Sequence, residues 1–339
     1  MVGAKMNVLV GDIGGTKTIL SVFSTDSGPR KPLVEKTYQS TRYDSFGKMV
    51  LEFLDEIRIQ VDRACFGVAG PVVERKARIT NLTWVVDASA LQLTFNLSSV
   101  DLLNDLESVA YAIPILEQED IFTLSVGVPI PGGSIAVLAP GTGLGEGFLT
   151  SDNGVYCAHA SEGGHVSFAP VGELQVGLLS YLNTHGYKHV SYERVCSGGP
   201  GIPNLYAYLK TTGMEEPTWL AEQLSSAQDP TPVIFKAAHD NTRPCELATA
   251  TVDLFVSILG GEAGNLGLKI LATGGIYLGG GISPHILEDL QKPFFLEAVR
   301  SKGRFGQLLT NMPVHVILNA EAGLLGAAAY GLSASRPCS

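Results

Sequence analysis

The sequence predicts a two-domain α/β protein, and three observations lead there. The chain has 339 residues, about twice the usual size of one domain. A strand, a short Gly/Thr-rich turn and a second strand occur near the N-terminus and again at residues 134–150. Long helical segments then alternate with short apolar strands, the pattern of the α/β class. With 45% hydrophobic and 17% charged residues, the composition is that of an ordinary globular chain.

The elements follow in order. Residues 7–10 are apolar, 11–17 form a Gly/Thr turn and 18–23 alternate, which reads as a hairpin. A strand is expected at 33–38, then a helix over 44–60 with Phe46, Val50, Phe53, Leu54 and Ile57 on one face. Residues 65–68 form a short buried strand ending in Ala69-Gly70-Pro71. Another at 100–103 runs directly into a helix beginning near Asn104. The breaker-rich stretch 128–133 closes the first half. Strand 134–139, turn 140–145 and strand 146–150 then repeat the opening hairpin, which suggests an internal duplication. Helices are expected at 173–184, from 191 onward, at 203–211 and at 244–270. A strand at 271–278, a glycine loop at 279–281, a strand at 314–318 and a helix at 320–332 complete the chain.

The bulk chemistry excludes several functions. A net charge of −10 disfavours nucleic acid, because a polyanion needs a basic face. The five cysteines, Cys65, Cys157, Cys196, Cys245 and Cys338, are scattered and odd in number. They read as reduced cytosolic thiols rather than a disulfide frame or zinc site. No basic-then-apolar leader pattern opens the chain. The most apolar stretch, 254–282, is interrupted by Glu262, Lys269 and many glycines, so no membrane span is expected. The sequons at Asn81 and Asn96 therefore carry no weight, and a cytoplasmic protein is expected.

Six segments carry chemistry. In Gly11-Asp12-Ile13-Gly14-Gly15-Thr16-Lys17-Thr18, glycines let backbone N–H groups approach phosphate oxygens and Thr16 adds a hydroxyl. It is no P-loop, because Thr16 replaces the second glycine and a strand follows where a helix is required. A plain hairpin turn is the competing reading. Asp12 weighs against it, since a carboxylate beside phosphates calls for a cation such as Mg²⁺ between them. Gly141-Thr142-Gly143-Leu144-Gly145 repeats this chemistry, so two loops could grip one polyphosphate. The stretch Gly274-Gly275-Ile276-Tyr277-Leu278-Gly279-Gly280-Gly281 either admits a flat ligand to bare backbone or simply links a strand to a helix. Asp105, at a strand end where a helix begins, is either a cap, as Asn104 could be, or a general base. Glu162 and His165, separated by two glycines, could hold a metal, though two ligands make a poor zinc site, or grip sugar hydroxyls. Glu193 is either a similar group or a surface helix glutamate. The other six histidines are given no role.

Taken in order, these segments resemble the bacterial-type glucokinase family. The matching stretches are GDIGGT at 11–16, FGVAGPV at 66–72, NLTW at 81–84, LLNDLESVAYAI at 102–113, APGTGLG at 139–145, EGGHVSFAP at 162–170, YERVCSGGPGI at 192–202, GGIYLGGGI at 274–282, KGRF at 302–305 and EAGLLGAAAY at 321–330. The resemblance implies the actin-like (ribonuclease H-like) ATPase fold, with two domains around a cleft. One would span 1–115 plus 317–339 and the other 116–316. It implies a soluble ATP-dependent hexose kinase, glucose first, with Mg²⁺ as cofactor, no nucleic-acid or membrane partner, and a homodimer.

Roles carry over position by position. Asp105 would be the catalytic base. Asn104, Asp105, Glu162, His165 and Glu193 would bind the hexose. Gly11, Asp12, Ile13, Gly14, Gly15, Thr16, Thr142 and Gly143 would hold the phosphates, with Asp12 near Mg²⁺ through water, and Gly279, Gly280 and Gly281 would face the adenosine. The related repressor/open-reading-frame/kinase group usually carries a cysteine-rich zinc motif after its E-x-G-H segment. Residues 168–177 have no cysteine here, so a structural zinc is not expected. The alternatives are a kinase for another hexose or hexosamine, or a catalytically silent sugar sensor.

Overall fold

The computed structural model describes residues 5–79 and 82–333. Asn81, with its sequon, and Cys338 lie outside the described residues. The chain divides into two compact units: Met1–Asp120, Leu149–Ala160 and Asn319–Ser339 form the first, Ile121–Phe148 and Ser161–Leu318 the second. The sequence alone had suggested a single continuous second segment, without the excursion of Leu149–Ala160 into the first unit.

The first unit opens with β1 (Asn7–Ile13), β2 (Lys17–Ser24) and β3 (Val34–Gln39), followed by α1 (Phe46–Ile57) and β4 (Arg63–Val68). A small three-stranded sheet follows, β5 (Val72–Val73), β6 (Lys76–Arg78) and β7 (Val85–Asp87). Then come α2 (Ala88–Thr94), β8 (Ser99–Asn104) and α3 (Asp105–Ala112). The main sheet has the order β3-β2-β1-β4-β8. Its first two pairings are antiparallel and its last two parallel. Register aligns Ile13 with Val68 and Val68 with Asn104, so the three parallel strands end side by side. Ligands of open α/β sheets gather at such carboxyl ends.

Side-chain alternation explains how this sheet is covered. Leu9 and Ile13 of β1 join Phe46, Met49, Val50 and Phe53 of α1 in one core. A side chain at Gly11, on that same face, would press within 2.9 Å of Phe66 and 3.0 Å of Leu20. Gly11 is thus a packing position inside β1, not part of the turn that the sequence predicts over 11–17; the strand runs on to Ile13 because its pairing with Thr18 holds. The opposite face carries Val8, Val10 and Asp12.

The second unit contains β9 (Ile121–Ser125), β10 (Ile135–Pro140) and the start of β11 (Leu144–Asp152), which leads into β12 (Val155–Ser161). Helices follow: α4 (Gly172–Thr184), α5 (Gly201–Thr211), α6 (Thr218–Ser226), α7 (Thr231–Ala238) and α8 (Glu246–Ile270). After β13 (Gly275–Leu278) come α9 (Leu287–Leu290), α10 (Pro293–Arg300), α11 (Gly306–Thr310) and β14 (Val314–Ile317). The chain then returns to the first unit as α12 (Ala322–Leu332), whose glycine at 331 lies on Val8 and Cys65.

The second sheet has the order β12-β11-β10-β13-β14-β9. β10 and β11 are joined by only three residues, which only an antiparallel pair allows, and β10-β13-β14 are parallel. The first five strands therefore repeat the order of the first sheet, the duplication expected from the sequence. Here too Leu138 and Leu278 align at the strand ends, placing the turn at 141–143 beside the loop at 279–281. α8 is the centre of this unit. It is the one described helix long and apolar enough to cross a membrane, yet 72% of its apolar window is buried in the protein, as a core helix should be.

Two local expectations differ from the structure. The helix expected from residue 191 is only a 3-10 turn, Tyr192–Arg194, because Ser191 pairs with Ser167 in a β-bridge. The strand expected over 271–278 shrinks to four residues, since Leu271 is the left-handed cap of α8. Cys65, Cys196 and Cys245 are free and buried.

Candidate active site

In the first unit the candidate residues collect at the carboxyl ends of β1 and β8. Asn104 closes a capping box: its Oδ1 accepts from the Glu107 N–H at 2.6 Å, and Glu107 accepts from the Asn104 N–H at 3.4 Å. Its side-chain amide keeps its N–H donors. Asp105 is the first residue of α3 and accepts from the Leu106 N–H at 2.9 Å. The capping reading holds for Asn104, and Asp105 beside it is left exposed. Although its side chain reaches solvent, the surrounding protein displaces enough water to raise the Asp105 pKa.

Asp12 ends the opposite face of β1, 3.9 Å from a side chain placed at Gly323 in the first turn of α12. Burial raises its pKa, and the negative charges of Asp105 and Glu321 raise it further, against the pull of Lys17. The Asp12 carboxylate therefore stands in acidic company with no hydrogen-bonded cation. This donor fits a bound divalent ion, whose charge would offset the repulsion.

The turn after β1 is pinned from behind. Ser40 donates from Oγ to the Gly14 carbonyl at 2.7 Å, and its N–H donates to the Thr16 carbonyl at 2.9 Å. Gly14 must lack a side chain, which would meet the Lys17 carbonyl at 2.8 Å. With the carbonyls tied back, the N–H groups of Gly15 and Thr16 have no backbone acceptor among the described residues. Such paired donors make a concave anion site.

The second unit builds the same device. Gly198 and Gly199 donate to the carbonyls of Gly141 and Thr142 at 2.7 and 2.9 Å, again leaving the Thr142 and Gly143 N–H groups uncommitted. Gly280 has φ +73° and rests on the Pro140 carbonyl; a side chain there is excluded both by conformation and by space. Gly279 and Ile282 donate to Leu138 and Pro140, so the 279–281 loop and the 141–143 turn form one rim.

That rim opens into a cavity of about 800 Å³ whose lining includes Gly199, Thr231, Phe235, Lys236, His239 and His285. Thr231 donates from Oγ1 to the Gly198 carbonyl, and the His239 Nε2 lies 2.8 Å from Asp289. Sequence reasoning passed over these side chains and gave both histidines no role. The available signal was the Ser197-Gly198-Gly199-Pro200-Gly201 run, whose N–H groups brace the turn.

Glu162, His165 and Glu193 converge. His165 lies 3.8 Å from Glu162 through Nε2 and 3.4 Å from Glu193 through Nδ1. Glu193 is no surface-helix residue: it sits on the 3-10 turn with its side chain 21% exposed, 3.4 Å from a Cβ placed at Gly143. Glu162, by contrast, is 84% exposed. One imidazole between two carboxylates offers donors and acceptors in the alternation that vicinal hydroxyls require. Among the described residues no three such side chains are grouped to hold a metal ion.

Comparison with known proteins agrees with this chemistry. The glucokinase family model matches residues 9–334. A glucokinase of Trichormus variabilis is 40% identical over 336 residues, covering 95% of this chain and 97% of the relative. The crystal structure of a glucokinase from an Antarctic psychrotroph superposes with a TM-score of 0.82 at 31% identity, covering 95% of this chain and 98% of that one. A Streptomyces griseus glucokinase of the repressor/open-reading-frame/kinase group, solved with glucose and AMPPNP, shares the fold alone, with a TM-score of 0.61 at 18% identity and 96% and 99% coverage. The chain belongs to the glucokinase family and has its actin-like ATPase fold.

Proposed function

We propose that the protein transfers the γ-phosphoryl group of ATP to glucose, giving glucose 6-phosphate and ADP. The observation that carries this reading is that each unit has its own braced turn, at 14–16 and at 141–143, with two consecutive N–H groups that lack a backbone acceptor among the described residues. Each such turn suits a phosphate group, and family membership supplies the acceptor. The 800 Å³ cavity beside the 279–281 loop takes the adenosine.

Glu162, His165 and Glu193 hold hexose hydroxyls, and the free amide of Asn104 contributes a donor. Asp105 accepts the proton of the attacking hydroxyl as the new O–P bond forms and the β–γ bridging bond breaks. The transition state of phosphoryl transfer is loose, so the protein contributes mainly alignment and neutralisation of phosphate charge. Asp12 would hold a Mg²⁺ ion, which would supply neutralising charge to the phosphates. The raised pKa of Asp12, caused by burial and by Asp105 and Glu321, supports that position. A cytoplasmic location and a homodimer complete the proposal.

A coupled ADP-release assay over a panel of hexoses, N-acylated hexosamines and phosphoryl donors tests the reading. Glucose with ATP should give the highest kcat/KM. Preference for another sugar, or no turnover with any, would overturn it.

A further inference from the structure

A buried carboxyl group lies directly beneath the loop that carries Glu162 and His165. Glu146, on β11, is 1% exposed. A side chain at Gly163 would collide with its Oε2 and come within 3.0 Å of its Cβ and Cδ. One residue further, a side chain at Gly164 would strike the Leu144 carbonyl of the same strand. The two glycines of the 162–165 segment are therefore required by contact with β11. Glu146 Oε1 has no hydrogen-bond partner.

A second buried acid stands nearby on α8. Glu262 is fully buried and fully partnered: Lys269 at 3.1 Å, Asn265 at 2.8 Å and the Tyr192 hydroxyl. Asn265 also donates to the Tyr192 oxygen at 2.9 Å. Tyr192 immediately precedes Glu193. Two buried carboxyl groups thus support the two turns that present the sugar-binding side chains, and only one of them has a cation.

We propose that Glu146 is a positioning residue for the sugar site: its carboxyl group is the floor on which Gly163 lies, and its proton keeps that floor neutral so that Glu162 and His165 stand where glucose needs them. The inference rests on the reading of those residues as the hexose grip. Burial, together with the charge of Glu262 and against the pull of Lys269, pushes the Glu146 pKa up to about 7. The charged and titratable groups that act on it are Glu262 and Lys269 from α8 and the buried Cys196 after the adjoining turn. An orphaned oxygen is tolerable on a neutral acid and costly on a buried anion. Losing the proton would put a second negative charge beside Glu262 and directly under Gly163.

The test is the pH profile of the Michaelis constants, from about pH 6 to about pH 9, for the wild type, Glu146→Gln and Lys269→Met. In the wild type the glucose KM should rise roughly fivefold to tenfold above neutral pH while the ATP KM stays level. Glu146→Gln, neutral at every pH, should abolish that rise. Lys269→Met, which removes a charge that favours the Glu146 anion, should move the rise to higher pH. A flat wild-type profile, an unchanged rise in Glu146→Gln, or an unmoved one in Lys269→Met would each overturn the positioning role while leaving the kinase reading intact. Absence of glucose-dependent ADP release in the wild type would overturn both.

Discussion

The Arg30 guanidinium donates to Asp120 at 2.7 Å, and Asp120 is the residue at which the chain first leaves the N-terminal unit. The same carboxylate accepts from the Glu117 N–H and from the Asn319 side-chain amide, both at 2.8 Å. Asn319 is where the chain returns. One buried acid thus fastens both strands of the crossing.

Burial alone would raise the Asp120 pKa, but Arg30, Glu117 and Asn319 together hold it below the ordinary value. A depressed carboxylate contributes stability that is present above the unfolded-state pKa near 4 and is lost as pH falls through the lower folded value. Arg30→Met should leave a buried anion with no cation and cost about 2 kcal/mol at pH 7, less than a fully buried pair because Arg30 is partly exposed. The penalty should shrink below about pH 4, where the acid protonates. Denaturant unfolding at both pH values checks this; equal stability of mutant and wild type at pH 7 would refute it.

Asp105→Ala should lower kcat by roughly 10² to 10⁴ with little change in glucose affinity. The residue caps nothing but its own first turn, since Asn104 and Glu107 form the capping box. The protein should therefore remain folded by circular dichroism. Because desolvation raises the Asp105 pKa, the acid limb of wild-type kcat/KM should lie above the position expected for a free aspartate, with activity lost as pH falls through it. Near-normal turnover in the folded mutant would remove Asp105 from the mechanism.

Much of this was legible in sequence, for physical reasons. Glycines at 14, 143, 163 and 280 mark places where backbone passes close to backbone or to a carboxylate, and such closeness leaves a local signature. Glu193 was legible only through the family resemblance, because nothing in Tyr-Glu-Arg-Val distinguishes a 3-10 turn from a helix. Glu146 was not legible at all. Sequence shows only that Glu146 opens a short strand, whereas the contact of its carboxyl group with Gly163 depends on how the 162–165 segment folds over β11. The same limit hid Phe235 and His239, whose place in the cavity depends on how α7 meets the 279–281 loop.

Glu193→Gln and His165→Ala should each raise the glucose KM roughly tenfold or more, the scale of a lost charge-assisted hydrogen bond, and leave the ATP KM within about twofold. Glu193 is the sharper probe, because its low exposure and its contact with His165 mean that a substitution there also frees the imidazole to rotate. Isothermal titration with glucose alone separates loss of binding from loss of turnover. Equal effects on both substrates would argue that these residues shape the whole unit and not the sugar grip.

Gly280→Ala should act on the nucleotide side instead. The residue has φ +73°, and a methyl group would overlap the Pro140 carbonyl. The left-handed conformation alone costs about 1 kcal/mol or more in a residue with a side chain, and relieving the overlap requires the loop to move away from β10. That shift withdraws the 279–281 rim from the 141–143 turn, to which it is tied by the Ile282 N–H bond to Pro140 at 3.1 Å. The ATP KM should therefore rise several-fold, with a modest fall in melting temperature and an unchanged glucose affinity. Gly281→Ala is the internal control, because a side chain there meets nothing within 4 Å and should leave stability close to wild type. If Gly280→Ala and Gly281→Ala behaved alike in both melting and ATP kinetics, the fit of the loop against Pro140 would have no part in holding the nucleotide.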